Sequence, residues 1–183
     1  MTTTAITRTA DRNGEYFTFT LKDGNGKILV NKPVAIGFNG KVYNKTTNAS
    51  GQARLQVNLK KAGGYTFAIA FLGDDEFNAS FAVAKITVNK QKASLTVPNK
   101  SYKATAKTKS LTATFKDSKG KAVSGKKITF TVNGKTYSAK TNSKGVATVK
   151  VSLSTKKTYS FTAKYAGDNT FLAVTKKAKV VIK

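Results

Sequence analysis

The sequence predicts an all-β chain of two tandem antiparallel β-sandwiches, and three observations carry that prediction. Tyr159, Phe161, Ala163 and Tyr165 alternate with Ser160, Thr162 and Lys164, the period of two that marks a strand buried on one face. The same stretch, extended through Gly167-Asp168-Asn169-Thr170-Phe171, also occurs as Tyr65 to Phe77, 94 residues upstream; a recurrence of that length signals tandem domains rather than a short solenoid repeat. No segment keeps apolar residues at helical spacing for long enough to compete. The repeat divides the 183 residues into domains at 1–90 and 91–183, each of a usual size for a small sandwich.

Taken in order, Thr3 to Thr9 reads as a weak first strand and Asp11-Arg12-Asn13-Gly14 as a turn. Phe17, Phe19 and Leu21 form the buried face of a second strand, which Lys22-Asp23-Gly24-Asn25-Gly26-Lys27 turns away. Pro33 lacks an N–H and belongs at a strand entrance. Val34, Ile36 and Phe38 follow as a buried face, and Asn39-Gly40 is a strong two-residue hairpin signal. Lys41 to Thr47 returns, Asn48 to Gly51 turns, and Ala53, Leu55, Val57 and Leu59 alternate again. Tyr65 to Phe71 and Phe81 to Val88 are the last two strands of the copy.

The second copy aligns without insertion from Thr18/Thr112 to Asn89/Lys183, with roughly a third of positions identical. Lys116-Asp117-x-x-Gly120-Lys121 matches Lys22-Asp23-x-x-Gly26-Lys27, and Asn133-Gly134 matches Asn39-Gly40. Thr141-Asn142-x-x-Gly145 matches Thr47-Asn48-x-x-Gly51, and Gly167-Asp168 matches Gly73-Asp74. Turn residues and buried faces recur, as expected where folding rather than chemistry repeats. About seven short strands per copy, at regular spacing, specify an immunoglobulin-like sandwich. With no Cys or Trp in the chain, Phe and Tyr must fill the space between sheets. Only Asn89-Lys90-Gln91-Lys92 joins the copies; lacking Gly and Pro, it predicts a rod of limited flexibility.

Composition excludes several classes of chemistry. Without Cys or His there is no thiolate nucleophile, disulfide or imidazole base. Paired carboxylates for acid–base catalysis would have to converge in one cleft, whereas Asp23, Asp74, Asp117 and Asp168 all sit in turn motifs, so no enzyme and no cofactor are expected. The first residues show neither a signal peptide nor a membrane span. The net charge is +25, with 12 Lys/Arg against 6 Asp/Glu in residues 1–90 and 21 Lys against 2 Asp in residues 91–183. A solvated, self-repelling surface accounts for such an excess; attraction to an acidic glycan, a wall polymer or nucleic acid is the sharper alternative.

In combination, Lys-Asp-x-x-Gly-Lys, Asn-Gly-Lys-x-Tyr, Thr-Asn-x-x-Gly-x-Ala and Tyr-x-Phe…Gly-Asp-x-x-Phe resemble bacterial and archaeal Ig-like repeat domains. They are most similar to the tandem repeats of adhesin-like surface proteins of methanogenic archaea. The resemblance spans nearly the whole chain. It implies an extracellular, cell-surface protein: a monomeric segment of a longer tandem array, serving as stalk or spacer and contributing to adhesion. It carries no catalytic set, and if the parent protein is exported this chain is an internal piece of it.

Asp74, Asp75 and Glu76 are the one acidic cluster and the weak candidate for a metal, against a turn in which the carboxylate bonds backbone N–H groups. Lys156, Lys157, Lys176 and Lys177 are candidate binding residues for a polyanion, glycan or partner-cell surface. Nucleic acid is disfavoured because the aromatics fall on the buried parity. Gly73, Asp74, Gly167, Asp168, Asn39, Gly40, Asn133 and Gly134 read as structural turn markers. Asn44, Asn48, Asn78 and Asn99 head glycosylation acceptor patterns that matter only in an exported protein. An isopeptide cross-link needs a buried Lys beside an Asn, and the predicted buried faces contain neither.

Overall fold

The computed structural model describes residues 6–9 and 15–183, with side chains from residue 16 onward. The Asp11 to Gly14 turn and residues 3–5 of the first expected strand lie outside the described residues. The chain divides into two compact units, residues 1–90 and 91–183.

In the first unit, β1 (Ile6–Thr9), β7 (Ser80–Asn89), β6 (Gly63–Phe71), β3 (Pro33–Phe38) and β4 (Lys41–Thr46) lie side by side in one sheet. β2 (Glu15–Thr20) and β5 (Gln52–Val57) pair in a second. Alternation sets which face is buried: β5 hides Ala53, Leu55 and Val57 and exposes Arg54 and Gln56. Rings bridge the sheets where a disulfide and tryptophan would otherwise stand. Phe17 of β2 stacks on Phe67 of β6 at 4.1 Å, and Phe38 of β3 stacks on the same ring at 4.3 Å.

In the second unit, β12 (Lys135–Lys140), β11 (Lys127–Val132), β14 (Thr158–Tyr165), β15 (Val174–Ile182) and β9 (Lys100–Tyr102) form the larger sheet. β13 (Val146–Val151), β10 (Lys109–Lys116) and β8 (Ser94–Thr96) form the smaller one. The aromatic cluster sits elsewhere in this core: Phe115 of β10 lies 4.6 Å from Tyr165 and 5.5 Å from Phe171.

Two details differ from the sequence reading. The entry strand of the second unit is two strands: β8 pairs with β10, and β9 then pairs parallel to β15 in the other sheet. Pro98 lies between them and has no N–H to continue a ladder, so the chain changes sheets there. The join is also shorter than four residues, because Gln91 is buried within the second unit.

The turn motifs act as expected of their residue types. Asn39-Gly40 and Asn133-Gly134 close two-residue hairpins with positive φ at both positions. Asp23 Oδ1 accepts the N–H groups of Asn25 and Lys27, and Asp117 Oδ1 those of Lys119 and Lys121. Asn48 and Asn142 cap the next turn in the same way. The buried Thr47 hydroxyl donates to Leu29 O and accepts from Lys32 N–H, a bond pair repeated by Thr141, Val123 and Lys126.

Candidate functional site

The stretch that repeats most visibly, Gly-Asp-x-x-Phe, forms the loop after β6 and after β14. A glycine is needed there: Gly73 has φ +86, and a Cβ on it would stand 2.8 Å from Ala79 N and 2.9 Å from Phe77 O. Asp74 Oδ1 then accepts the N–H groups of Glu76 and Phe77, while Oδ2 takes the Lys32 ammonium at 2.6 Å. Lys32 also reaches Glu76 Oε2 at 3.2 Å and lies 5.0 Å from the centre of the Phe77 ring. The second unit repeats the arrangement. Asp168 Oδ1 accepts from Thr170 and Phe171 N–H, its Oδ2 meets Lys126 at 2.5 Å, and Lys126 lies 4.9 Å from the Phe171 ring.

The electrostatics follow from this geometry. The Lys32 ammonium lowers the Asp74 pKa against the opposing effect of desolvation, with the backbone N–H groups assisting. Burial by itself would raise the Asp168 pKa; Lys126 and the two N–H groups outweigh it and hold the carboxyl well below the usual carboxylate range. The Tyr165 hydroxyl is buried beside Asp168 without a hydrogen bond of ordinary geometry. Its burial and then the neighbouring charge push the phenol upward.

Two carboxylates of the Asp74-Asp75-Glu76 cluster are thus engaged by a lysine, and Asp75 is exposed. Among the described residues no group of three or more His, Cys, Asp or Glu is placed to hold a metal ion. Sequence reasoning found the Gly-Asp half of this feature and missed Lys32 and Lys126. The available signal was the joint recurrence, 94 residues apart, of Lys, Asp and Phe.

The candidate lysines do not form one cluster. Lys156 and Lys157 lie exposed in the loop before β14, and Lys157 sits 4.7 Å from the Tyr159 ring. Lys176 and Lys177 are neighbours on β15 and therefore project to opposite faces. Lys177 is also about 17 Å along the strand from Ile182, whose N–H bonds Lys157 O. What the structure does assemble is a different set. Lys164, Lys177 and Lys179 share the outer face of the larger sheet with Thr129, Thr131, Ser160, Thr162 and Thr175.

The equivalent face of the first unit is more apolar, although Thr66 and Lys85 stand where Ser160 and Lys179 do. Cross-strand register sets Gly37 between Val42 and Ala68, Ala68 opposite Val83, and Ala70 between Ala35 and Phe81. Phe81 is 66% exposed, Val42 70% and Leu72, just beyond β6, 83%. Ala35, Gly37, Ala68, Val83 and Phe81 occupy the positions of Thr129, Thr131, Thr162, Lys177 and Thr175. The expectation that the aromatics fall on buried positions is therefore corrected at Phe81, and also at Tyr16, which is 52% exposed. Parity assigns a face but cannot say whether something covers it.

A buried lysine is a second correction. Lys109 is 7% exposed, and its ammonium donates to Ala104 O at 3.0 Å and Ala106 O at 2.8 Å. Two carbonyls of the loop before β10 solvate the charge that burial removes from water.

No protein-family model and no curated protein sequence matches the chain. Its fold does match solved structures. Invasin, a bacterial integrin-binding protein, aligns over 97% of this chain and 38% of its own length, with 20% identity and a TM-score of 0.53. A Ca2+-stabilised adhesin by which an Antarctic bacterium binds ice aligns over 98% of this chain and 46% of its own, with 17% identity and a TM-score of 0.38. The D0–D1 domains of intimin align over 97% and 94%, with 20% identity and a TM-score of 0.37. The chain thus spans less than half the length of invasin and of the Antarctic adhesin. The fold is all-β and immunoglobulin-like, and invasin shares it. Among the described residues no helix is long and apolar enough to cross a membrane.

Proposed function

We propose that this chain is a non-enzymatic segment of a cell-surface adhesin, two Ig-like modules that space and contribute to contact with another surface. The observation that carries the reading is the divergence of one sheet face over a shared core. Buried positions and turns repeat between the units, while five outer-face positions of the larger sheet that are Ala, Gly, Val or Phe in one are Thr or Lys in the other. Both units keep the same buried positions and turns while their outer faces differ, which suits modules whose contacts vary over one fold. The tandem Ig-like adhesins of methanogenic archaea are the sequence resemblance this reading extends, with an extracellular location.

The second reading, binding of an acidic glycan or wall polymer, rests on the face bearing Lys164, Lys177 and Lys179. The test uses the full chain with Lys164→Glu, Lys177→Glu and Lys179→Glu together, and separately with Leu72→Ala, Phe81→Thr and Val83→Lys. Both are applied to whole cells and to immobilised acidic polysaccharide over a salt series. Polyanion binding predicts retention that falls steeply with salt and is lost in the charge-reversed variant. Contact through the apolar face predicts loss in the other variant alone. If both variants adhere as the native chain does, neither face is the contact surface.

A further inference from the structure

Five exposed lysines of the second unit fall on one line across the outer face of the larger sheet. Lys127 of β11 stands directly opposite Lys140 of β12. Lys164 of β14 pairs with Thr129, two residues along β11 from Lys127, and with Thr175, two residues along β15 from Lys177. Lys179 follows Lys177 on the same face of β15. Because β14 runs antiparallel to both neighbours, Lys127 lies toward its Tyr165 end and Lys177 toward its Thr158 end, so the two diagonals continue each other. Directly opposed residues stand about 5 Å apart, diagonal neighbours about 7–8 Å and alternate residues of one strand about 7 Å. Lys140, Lys127, Lys164, Lys177 and Lys179 therefore form an oblique track about 25 Å long.

The strands beneath the track supply no counter-charge. β11, β12, β14 and β15 contain no Asp or Glu, and the two acids of the unit, Asp117 and Asp168, are held in turns. Lys127 and Lys140 are like charges directly opposed, an arrangement that costs stability and that a bound anion relieves. The first unit has Pro33 and Thr46 at that pair, and Ala70 and Val83 at the positions of Lys164 and Lys177; only Lys85, at that of Lys179, is charged. The track thus belongs to one unit and is not a requirement of the fold. Hydroxyls border it: Thr129 and Thr175 on either side of Lys164, Thr162 beside Lys177 and Ser160 beside Lys179.

We propose that this track binds a single linear acidic polysaccharide, laid obliquely across β12, β11, β14 and β15, with its anionic groups on the five ammonium groups and its sugar hydroxyls on the bordering Thr and Ser. This binding mode rests on the acidic-glycan reading of the same face and adds the form of the ligand, its direction and the part played by Lys127 and Lys140. Positive charge at intervals of about 5–8 Å matches a polymer that carries an acid on nearly every sugar. A single-stranded nucleic acid would present bases, and the rows of this face hold no aromatic residue to stack on them. An acidic polypeptide would gain nothing from its backbone, because the N–H and C=O groups under the track are already paired in the ladders.

The test titrates galacturonate oligomers of increasing length, each with a carboxylate on every sugar, into the full chain at several salt concentrations and follows binding by calorimetry. Affinity should rise with length until the oligomer spans about 25 Å, then level off, and should fall as salt is added. Lys127→Gln with Lys140→Gln should shorten the length at which affinity levels off and weaken the longest oligomer about tenfold. Lys144→Gln with Lys150→Gln removes the same charge from a turn and from the smaller sheet and should weaken it less than about twofold. Absence of binding by every oligomer, or equal losses from the two double variants, overturns the proposal. So does equal binding by an oligothymidylate or an oligoglutamate of the same charge. If Lys127→Gln with Lys140→Gln binds as the native chain does while Lys164→Glu, Lys177→Glu and Lys179→Glu together abolish binding, the track falls and the glycan reading of the face stands; if neither variant changes binding, both fall.

Discussion

Replacing Asp168 by Asn isolates the ion pair of the second unit from the turn that holds it. The Asn Oδ1 still accepts the Thr170 and Phe171 N–H groups, so only the charge facing Lys126 is removed. The magnitude lies between two limits. A fully exposed pair contributes about 0.2–1 kcal/mol, and a hydrogen bond between charged groups about 1.5–3 kcal/mol. The side chains of Lys126 and Asp168 are 22% and 37% exposed, so solvent screening is substantial; the expected loss is about 1–2 kcal/mol. Lys126 keeps its place over the Phe171 ring and is not stranded. For a domain of this size the loss lowers the melting temperature of the second unit by about 5–10 °C. The pH dependence gives the sharper check. Because the folded-state pKa of Asp168 is depressed, its contribution is present above the unfolded value of about 3.9 and is lost as pH falls toward the folded value. Calorimetry of the full chain, fitted with one transition per unit, should show native and Asp168→Asn proteins well separated at pH 6 and converging below pH 4. A gap of the same size at pH 6 and pH 2, or no gap at pH 6, would refute the ion-pair account.

Three further outcomes follow from the same geometry. Gly145→Ala places a Cβ 2.5 Å from Phe115 O at φ +74 and should cost upward of about 3 kcal/mol, whereas Gly120→Ala, at φ +79 in open space, should cost about 1 kcal/mol; urea melts of the second unit distinguish them. Thr141→Val removes a buried hydroxyl that donates to Val123 O and accepts from Lys126 N–H, and should destabilise the second unit by about 1–3 kcal/mol in the same assay. Lys109→Met keeps the buried stem and removes the ammonium from Ala104 O and Ala106 O, so trypsin should cut faster at Lys103 and Lys107 than in the native chain; unchanged cleavage would mean that the carbonyls do not depend on that charge.

Local residue chemistry was enough to read most of the scaffold. Period-two alternation identifies the buried faces of β5, β10 and β14, because a strand has only two sides. Asn39-Gly40, Asn133-Gly134, Asp23 and Asp117 announce their turns because few residues tolerate positive φ or can bond their own following N–H groups. The repeat places the two cores and, with the strand count, the immunoglobulin-like class. The features that bear on contact needed the folded arrangement of their partners, most of them distant in sequence. Lys126 meets Asp168 across 42 positions, and Lys109 is buried because a loop folds its carbonyls onto it. Phe81 has the side chain of a core residue but shares the outward parity of Val83 and Lys85, and register sets it beside Ala70 on an uncovered face. Gln91 reads as a linker until the Phe171 loop bonds both its N–H and its carbonyl. Alternation determines which residues share a face; only tertiary pairing decides whether that face is covered and which charges meet.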